Sequence, residues 1–250
     1  MALYAYKKEK NSRRKKIIYK ISTISILIGA TLLFWALYPV ISFELYSKLF
    51  INQDFSSPIP FSTIKTKLSN IENSILGINT SENENTDLTQ ASLWFPTVHQ
   101  NKKDQNKIFI KEYYLSIPKL NITNAKVKVG GEDLSKSLIH YFPSSLPGEK
   151  GNVVIFGHST LPQLYDKKDY KTIFTYLSSL SNNDIVKIQV RDEIYTYKVN
   201  EIFVIKPDKT SVLDKIPDES YITLITCVPP GTYWNRLVVR AKLSNSSIDY

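Results

Sequence analysis

The sequence predicts a mainly β domain, a closed or nearly closed β-barrel, carried behind an N-terminal apolar helix and a polar stalk. Three observations predict it. From residue 108 onward the chain is a series of short β-branched and aromatic runs, punctuated by Gly130-Gly131, Pro147-Gly148 and Asn182-Asn183. Six of the eight glycines fall between 130 and 231, where tight turns are needed. Upstream, one uncharged apolar run abuts a basic cluster.

The elements follow in order. Residues 1–20 hold eight Lys or Arg (Lys7, Lys8, Lys10, Arg13, Arg14, Lys15, Lys16 and Lys20) against Glu9, a net of +7 out of +9, which leaves +2 for residues 21–250. Basic residues beside an apolar run set membrane topology, whereas a nucleic-acid binder spreads them along a folded face among aromatics. No nucleic-acid partner is expected. Residues 21–41 carry no charge, and at about 1.5 Å per residue they reach roughly the 30 Å of a bilayer core. Trp35 and Tyr38 sit where interfacial anchors belong. The expectation is a single-pass plasma-membrane protein: 1–20 cytoplasmic, 21–41 transmembrane, and everything later outside. A cleaved signal peptide is the alternative. The run is longer than the roughly 7–15 residues of a usual h-region and no clear small-residue cleavage site follows, and either reading exports the domain.

Residues 42–107 read as an extracellular stalk. Within it, 62–76 suits a short amphipathic helix (Ile64, Leu68, Ile71, Ile75), while 79–90 and 101–107 are almost wholly polar. The segment ASLWFPTV (91–98) is apolar, and the sequence leaves open whether it docks on the domain as a strand or a plug. The barrel spans 108–243, with strands expected at 113–117, 125–129, 152–157, 184–190, 194–205, 221–227 and 236–243, and a helix at 170–180 from the spacing of Ile173, Phe174, Leu177 and Leu180. A polar tail, 244–250, ends the chain. There is no internal repeat, phosphate loop, metal-spaced Cys/His cluster or Gly-x-Ser-x-Gly elbow, so no cofactor or metal is expected. The acidic pairs Glu132-Asp133 and Asp192-Glu193 read as solvated turns.

The chemistry concentrates in 221–243, YITLITCVPPGTYWNRLVVRAKL, an apolar strand, a turn and an apolar strand. Cys227, the only cysteine, ends the first strand and Arg236 opens the second, so a hairpin folds the guanidinium back towards the sulfur. A nearby cation or base lowers a thiol's pKa and makes it a nucleophile. A lone cysteine forms no internal disulfide, which leaves two readings: a nucleophile, or a small buried hydrophobe. Of the three histidines, His99 lies among polar stalk residues, and His140, in SLIHYFPSS, is placed to pack or to line a pocket. His158 directly follows the apolar strand 152–157, where an imidazole can face a cleft or simply start a loop.

Four segments, in order, resemble the sortase transpeptidases. LSIPKLNITNAKV (115–127) is similar to the family's opening strand pair, LPGEKGNVVIFGHS (146–159) to its histidine segment, and FTYLSSLSNNDIVKI (174–188) to its helix and Gly-Asp turn, with Asn183-Asp184 in place of Gly-Asp. TLITCVPPGTYWNRLVVRA (223–241) resembles the T-L-x-T-C…R signature. The resemblance implies an eight-stranded barrel and a cysteine transpeptidase acting on the C-terminal LPxTG-type sorting signals of exported proteins, with an amine of the cell wall or of another surface protein as acceptor. Cys227 would be the nucleophile, His158 the general acid and then base, and Arg236 the donor to the substrate carbonyl or oxyanion. Thr226 would line the groove, with His140, Tyr233 and Trp234 as further substrate-binding candidates. No apolar segment follows residue 243, where pilin-polymerising class C enzymes commonly carry an anchor, and no Asp-Pro-aromatic lid motif precedes the barrel, WFP (94–96) being a poor substitute; the expectation is a single-span enzyme that anchors proteins or serves a narrower substrate set, with the subclass open. Two alternatives use the same barrel: a hydrolase that passes the acyl group to water, and a non-catalytic membrane-tethered binding domain, against which the intact trio argues.

Overall fold

The structure is a computed structural model that describes residues 12–51, 90–95, 110–141 and 144–248. The N-terminal helix α1 runs Ser12–Phe50, longer at both ends than the predicted span, so residues 42–50, assigned to the stalk by sequence, are helical. It is the one described helix long and apolar enough to cross a membrane, and its side chains from Ile17 to Leu37 stand exposed. Pro39 lies inside it. Proline has no N–H to give the carbonyl four residues back, and Gln163 Nε2 donates to that carbonyl, Trp35 O, at 3.3 Å. From Pro39 the stripe Pro39, Phe43, Ser47 and Ile51, spaced by four, is buried, and Phe43 and Ile51 join the barrel's core. The amphipathic stretch 62–76, the polar stretch 101–107, His99 and Pro96 lie outside the described residues.

Eight strands form the domain: β1 (Glu112–Ile117), β2 (Ile122–Val129), β3 (Leu138–His140), β4 (Gly151–Phe156), β5 (Ile185–Val190), β6 (Glu193–Ile205), β7 (Ser220–Val228) and β8 (Asn235–Ile248). They close in the order β1-β2-β3-β4-β7-β8-β6-β5. The β2–β3 and β4–β7 pairs are parallel and the others antiparallel. All seven predicted strands are present. The eighth, β3, has three residues and is too short to show a period. β8 extends past residue 243, where Asn245, Ser246, Ser247 and Ile248 pair with Thr196, Tyr195, Ile194 and Glu193, so most of the expected polar tail is strand.

The predicted helix at 170–180 is instead a run of tight turns ending in the 3-10 segment Leu177–Ser179. Its bonds skip three residues, not four: Thr172 N to Asp169 O, Thr175 N to Thr172 O, and Leu177 N to Phe174 O, each 3.0 Å. Two interactions divert the chain. Thr172 Oγ1 donates to Asp166 O and Asp169 O, at 2.5 and 3.1 Å, and Phe174 N donates to His158 O at 2.9 Å. Ile173, Phe174, Leu177 and Leu180 are nevertheless buried, so the apolar spacing is satisfied without the α-helical bonds.

Most strands alternate, β2 for example reading buried at Ala125, Val127 and Val129. β4 is buried at all six positions and β7 at all but Tyr221. A strand buried on both faces is covered on both. Inside the barrel lie Val153, Ile155, Ile222, Leu224, Val228, Leu237 and Val239. On the outer face Val154, Phe156, Phe203, Ile205, Ile225, Cys227 and Val238 form a second cluster, roofed by Ala91, Trp94 and Phe95 and by Val212 and Leu213 of the turn before β7.

His140 is fully buried between Tyr113 Oη, 2.7 Å from its Nδ1, and Ser144 Oγ, 2.9 Å from its Nε2. Burial holds its pKa down at about 4, with a backbone hydrogen bond of Ser144 opposing. A histidine held neutral by the fold stabilises above its ordinary 6.5, and that contribution is lost as pH falls towards 4. The gap is worth about 3 kcal/mol. Urea unfolding across pH 7 to 4 should show that loss in the parent and a shallower slope in His140→Gln. Parallel slopes would refute the assignment.

Candidate active site

Alternation and register decide which side chains meet on the outer face. In the β7–β8 ladder Cys227 pairs directly with Arg236. Both point outward with Ile225 and Val238, and Thr226, between Ile225 and Cys227, points into the barrel. The β7–β8 connection is closed by Thr232 N to Pro229 O at 2.9 Å, and Gly231 takes φ +80°, a left-handed conformation that glycine adopts without strain. β4 lies parallel to β7 with Phe156 opposite Ile225, and Gly157 N donates to Ile225 O at 3.1 Å. His158 therefore leaves β4 at the level where Cys227 leaves β7. Ser159 Oγ ties the two ends together by donating to Cys227 O at 2.6 Å. A Cβ at Gly157 would collide with the Phe174 ring and a Leu138 methyl, which explains the glycine before the histidine.

The segment 90–95 covers this corner. Gln90 bridges to Asp133, and Ala91 N donates to Glu132 O at 3.0 Å. Trp94 is 0% exposed. Its ring stands 5.5 Å from the His158 ring, 5.5 Å from the Phe156 ring and 5.5 Å from Arg236 Cζ, and its carbonyl accepts Arg236 Nη2 at 3.0 Å. Phe95 packs on Phe156 at 5.8 Å. The open alternative for 91–98 is thus decided for its described part: it docks as a plug, wedged between the histidine and the arginine. WFP, a poor substitute for a lid motif by sequence, supplies the tryptophan that packs against both. A tryptophan and a phenylalanine in an apolar segment flanked by polar stretches were the available signal, since neither gains from standing in water.

Cys227 is 7% exposed. Burial pushes its thiol up to about 11, against the opposing pull of Arg236. Arg236, 3% exposed, is lowered by its own burial and raised by Cys227. Its Nη1 donates to Tyr233 O at 3.0 Å and Asn235 O at 3.2 Å, which fixes the fork beside the sulfur.

Two sequence expectations need correction. Thr226 is 1% exposed and faces the barrel interior, its Oγ1 without a hydrogen-bond partner among the described residues, so it does not line the groove. His140 is enclosed by Tyr113 and Ser144 and offers no surface to a substrate. Tyr233 and Trp234, 61% and 60% exposed, stand in solvent at the β7–β8 turn. Among the described residues no group of His, Cys, Asp and Glu is arranged to hold a metal.

A thiol and a guanidinium paired across a ladder, with an imidazole at the adjoining strand end, are the equipment of thiol-dependent acyl transfer. The sortase-domain family model matches residues 115–244, and the chain belongs to the sortase family, whose members are cysteine transpeptidases. Sortase SrtE1 of Streptomyces coelicolor is 29% identical over 148 residues, covering 52% of this chain and 39% of that protein. Sortase D of Bacillus subtilis is 27% identical over 116 residues, covering 46% and 53%. The chain spans about half the length, or less, of the curated relatives it matches. Among solved structures, the Clostridium perfringens sortase D5 transpeptidase aligns with TM-score 0.46 and 29% identity over 54% of this chain and 79% of that one. Sortase A from Corynebacterium diphtheriae aligns with TM-score 0.47 and 32% identity over 54% and 60%.

If the plug sets the thiol's surroundings, removing the indole rehydrates them. Each unit by which the pKa falls from about 11 raises the thiolate fraction at neutral pH about tenfold. Trp94→Ala should therefore speed labelling of Cys227 by a methanethiosulfonate roughly tenfold or more at pH 7. An unchanged labelling rate, in a variant that melts cooperatively, would show that Trp94 does not govern the thiol.

Proposed function

We propose that this chain is a membrane-anchored cysteine transpeptidase that cleaves an LPxTG-type sorting signal and transfers the acyl group to a surface amine. The observation that carries the reading is the Cys227–Arg236 pair on the outer face of β7 and β8, with His158 leaving the parallel strand beside it. With the plug lifted, the Cys227 proton passes to His158 and the sulfur attacks the carbonyl carbon of the scissile bond. Arg236 exchanges the Trp94 carbonyl for the substrate's carbonyl oxygen and donates to it as negative charge develops. His158 returns the proton to the departing amine as the C–N bond breaks, leaving a thioester on Cys227. The incoming amine loses its proton to His158, forms the new amide bond and expels the sulfur, which recovers the proton. Tyr233 and Trp234 grip the substrate from the β7–β8 turn.

The basic N-terminus holds the start of α1 in the cytoplasm and presents the barrel outside the plasma membrane. In that setting the partners are the C-terminal signals of exported proteins and an amine of the wall or of a neighbouring surface protein.

A fluorescent LPxTG-type peptide mixed with an amine tests the reading. Cys227→Ala should abolish cleavage while the fold survives, because little volume is lost. Arg236→Lys should lower kcat/KM by roughly 10²–10³-fold, since an ammonium cannot reproduce the fork. A ligated product identifies the transpeptidase, whereas free acid alone at saturating amine would identify a hydrolase. Turnover by Cys227→Ala would sink the assignment.

A further inference from the structure

A cavity of ≈ 490 Å³ opens on the same barrel face, lined by Ser144, Glu149, Asn152, Thr210, Leu213 and Asp214, with Tyr141, Ser145 and Lys215. None of residues 90–95 lines it. Two of its residues also border the Cys227 cluster: Leu213 belongs to that cluster and Tyr141 packs against it. The cavity therefore adjoins the apolar cluster that holds Cys227.

Its floor is built of fixed polar groups. Asn152 is 1% exposed, and its amide donates to Val212 O and Asp214 O at 3.1 and 3.3 Å while its carbonyl accepts Thr223 Oγ1 at 2.6 Å. That triple bond set ties β4, β7 and the turn before β7 together. Ser144 is held by His140 and accepts Val154 N at 3.2 Å. The walls carry charge: Glu149 and Asp214 against Lys215, whose stem lies over Gly151. The Asp214 charge reaches across to Tyr141, whose hydroxyl pKa is raised first by burial and second by that carboxylate.

Position gives the register. Cys227, Ile225 and Thr223 share the outer face of β7, and Thr223 bonds to the cavity floor. Cys227 is four residue steps along β7 from Thr223, roughly 13 Å. Direction follows from the chemistry. His158 must meet the leaving amine on the β4 side of Cys227, and Arg236 the carbonyl oxygen on the β8 side. The acyl half of an extended substrate is left the strand axis, over Ile225 and Val154 to the cavity. Its residue four before the scissile carbonyl arrives there, which for an LPxTG signal is the residue immediately preceding the leucine.

We propose that this cavity is a subsite for the residue just upstream of the sorting motif, and that it selects a basic side chain there. This rests on the transpeptidase reading above. Two carboxylates against one ammonium leave the walls net acidic, and the Asn152 clamp fixes the Asp214 backbone that presents one of them. The preference is modest because the carboxylates lie at the rim.

The test compares three fluorescent peptides that differ only in Lys, Ala or Glu before an LPxTG motif, with the full-length protein in detergent and an amine acceptor. The expected order in kcat/KM is Lys, Ala, Glu, with Lys over Glu by roughly three- to fivefold. The Asp214→Asn/Glu149→Gln double variant should flatten the order without changing the melting temperature. Equal turnover of all three by the parent, or a preference for Glu, overturns the subsite while leaving the transpeptidase reading intact. No turnover of any peptide overturns both.

Discussion

The parallel pairing of β4 with β7 is the constraint on which the site depends. Hydrogen bonding in register from Gly151–Ser220 to Phe156–Ile225 makes the two strands end together, and only then do His158 and Cys227 leave the sheet side by side. The Ser159 hydroxyl on the Cys227 carbonyl and the Phe174 amide on the His158 carbonyl extend that register one step beyond the strands. β8 then adds antiparallel to the far edge of β7 and sets Arg236 opposite the sulfur. A slip of one residue in either ladder would turn Cys227 into the barrel and bring Thr226 out.

This dependence explains what was legible in the sequence. The strands of the barrel were, because β-branched and aromatic runs between turn residues carry their own signal. The hairpin of Cys227 and Arg236 was also legible, because eight residues with Pro229, Pro230 and Gly231 leave few ways to connect two strands. The facing of individual residues was not. Thr226 was assigned to the groove because it adjoins Cys227, and in a strand adjacency means the opposite face. The helix expected at 170–180 failed for a related reason: its apolar spacing was correct, but the amide of Phe174 was needed by the His158 carbonyl, a partner distant in sequence. His140 was misplaced because β3 is too short to announce itself, so nothing showed that the ring would be enclosed by Tyr113 and Ser144.

The same outer face carries two opposing demands. Nucleophilic attack needs a thiolate, yet an apolar roof of Trp94, Phe95 and Val212 over Cys227 favours the neutral thiol. Arg236 alone does not reverse the balance, since burial of the sulfur outweighs the attraction of the guanidinium. The arginine is itself desolvated and spends its donors on the carbonyls of Tyr233, Asn235 and Trp94. One of those three bonds is to the plug. Lifting 90–95 therefore frees an Arg236 donor, rehydrates the sulfur and uncovers the His158 ring in one movement.

The closed arrangement also bears on how a lone thiol persists. Oxidation proceeds through the thiolate, so a sulfur kept protonated and roofed reacts slowly, whereas the same sulfur opened beside a guanidinium is both ionised and accessible. Opening costs the burial of two aromatic side chains and the Ala91–Glu132 and Trp94–Arg236 hydrogen bonds. A substrate that lays apolar residues along Val154, Phe156 and Ile225 and offers a carbonyl to Arg236 restores the same kinds of contact that the plug gives up. On the proposed transpeptidase reading the plug and the substrate would compete for one surface with one chemistry, and the thiol would become reactive chiefly where a substrate has displaced the plug.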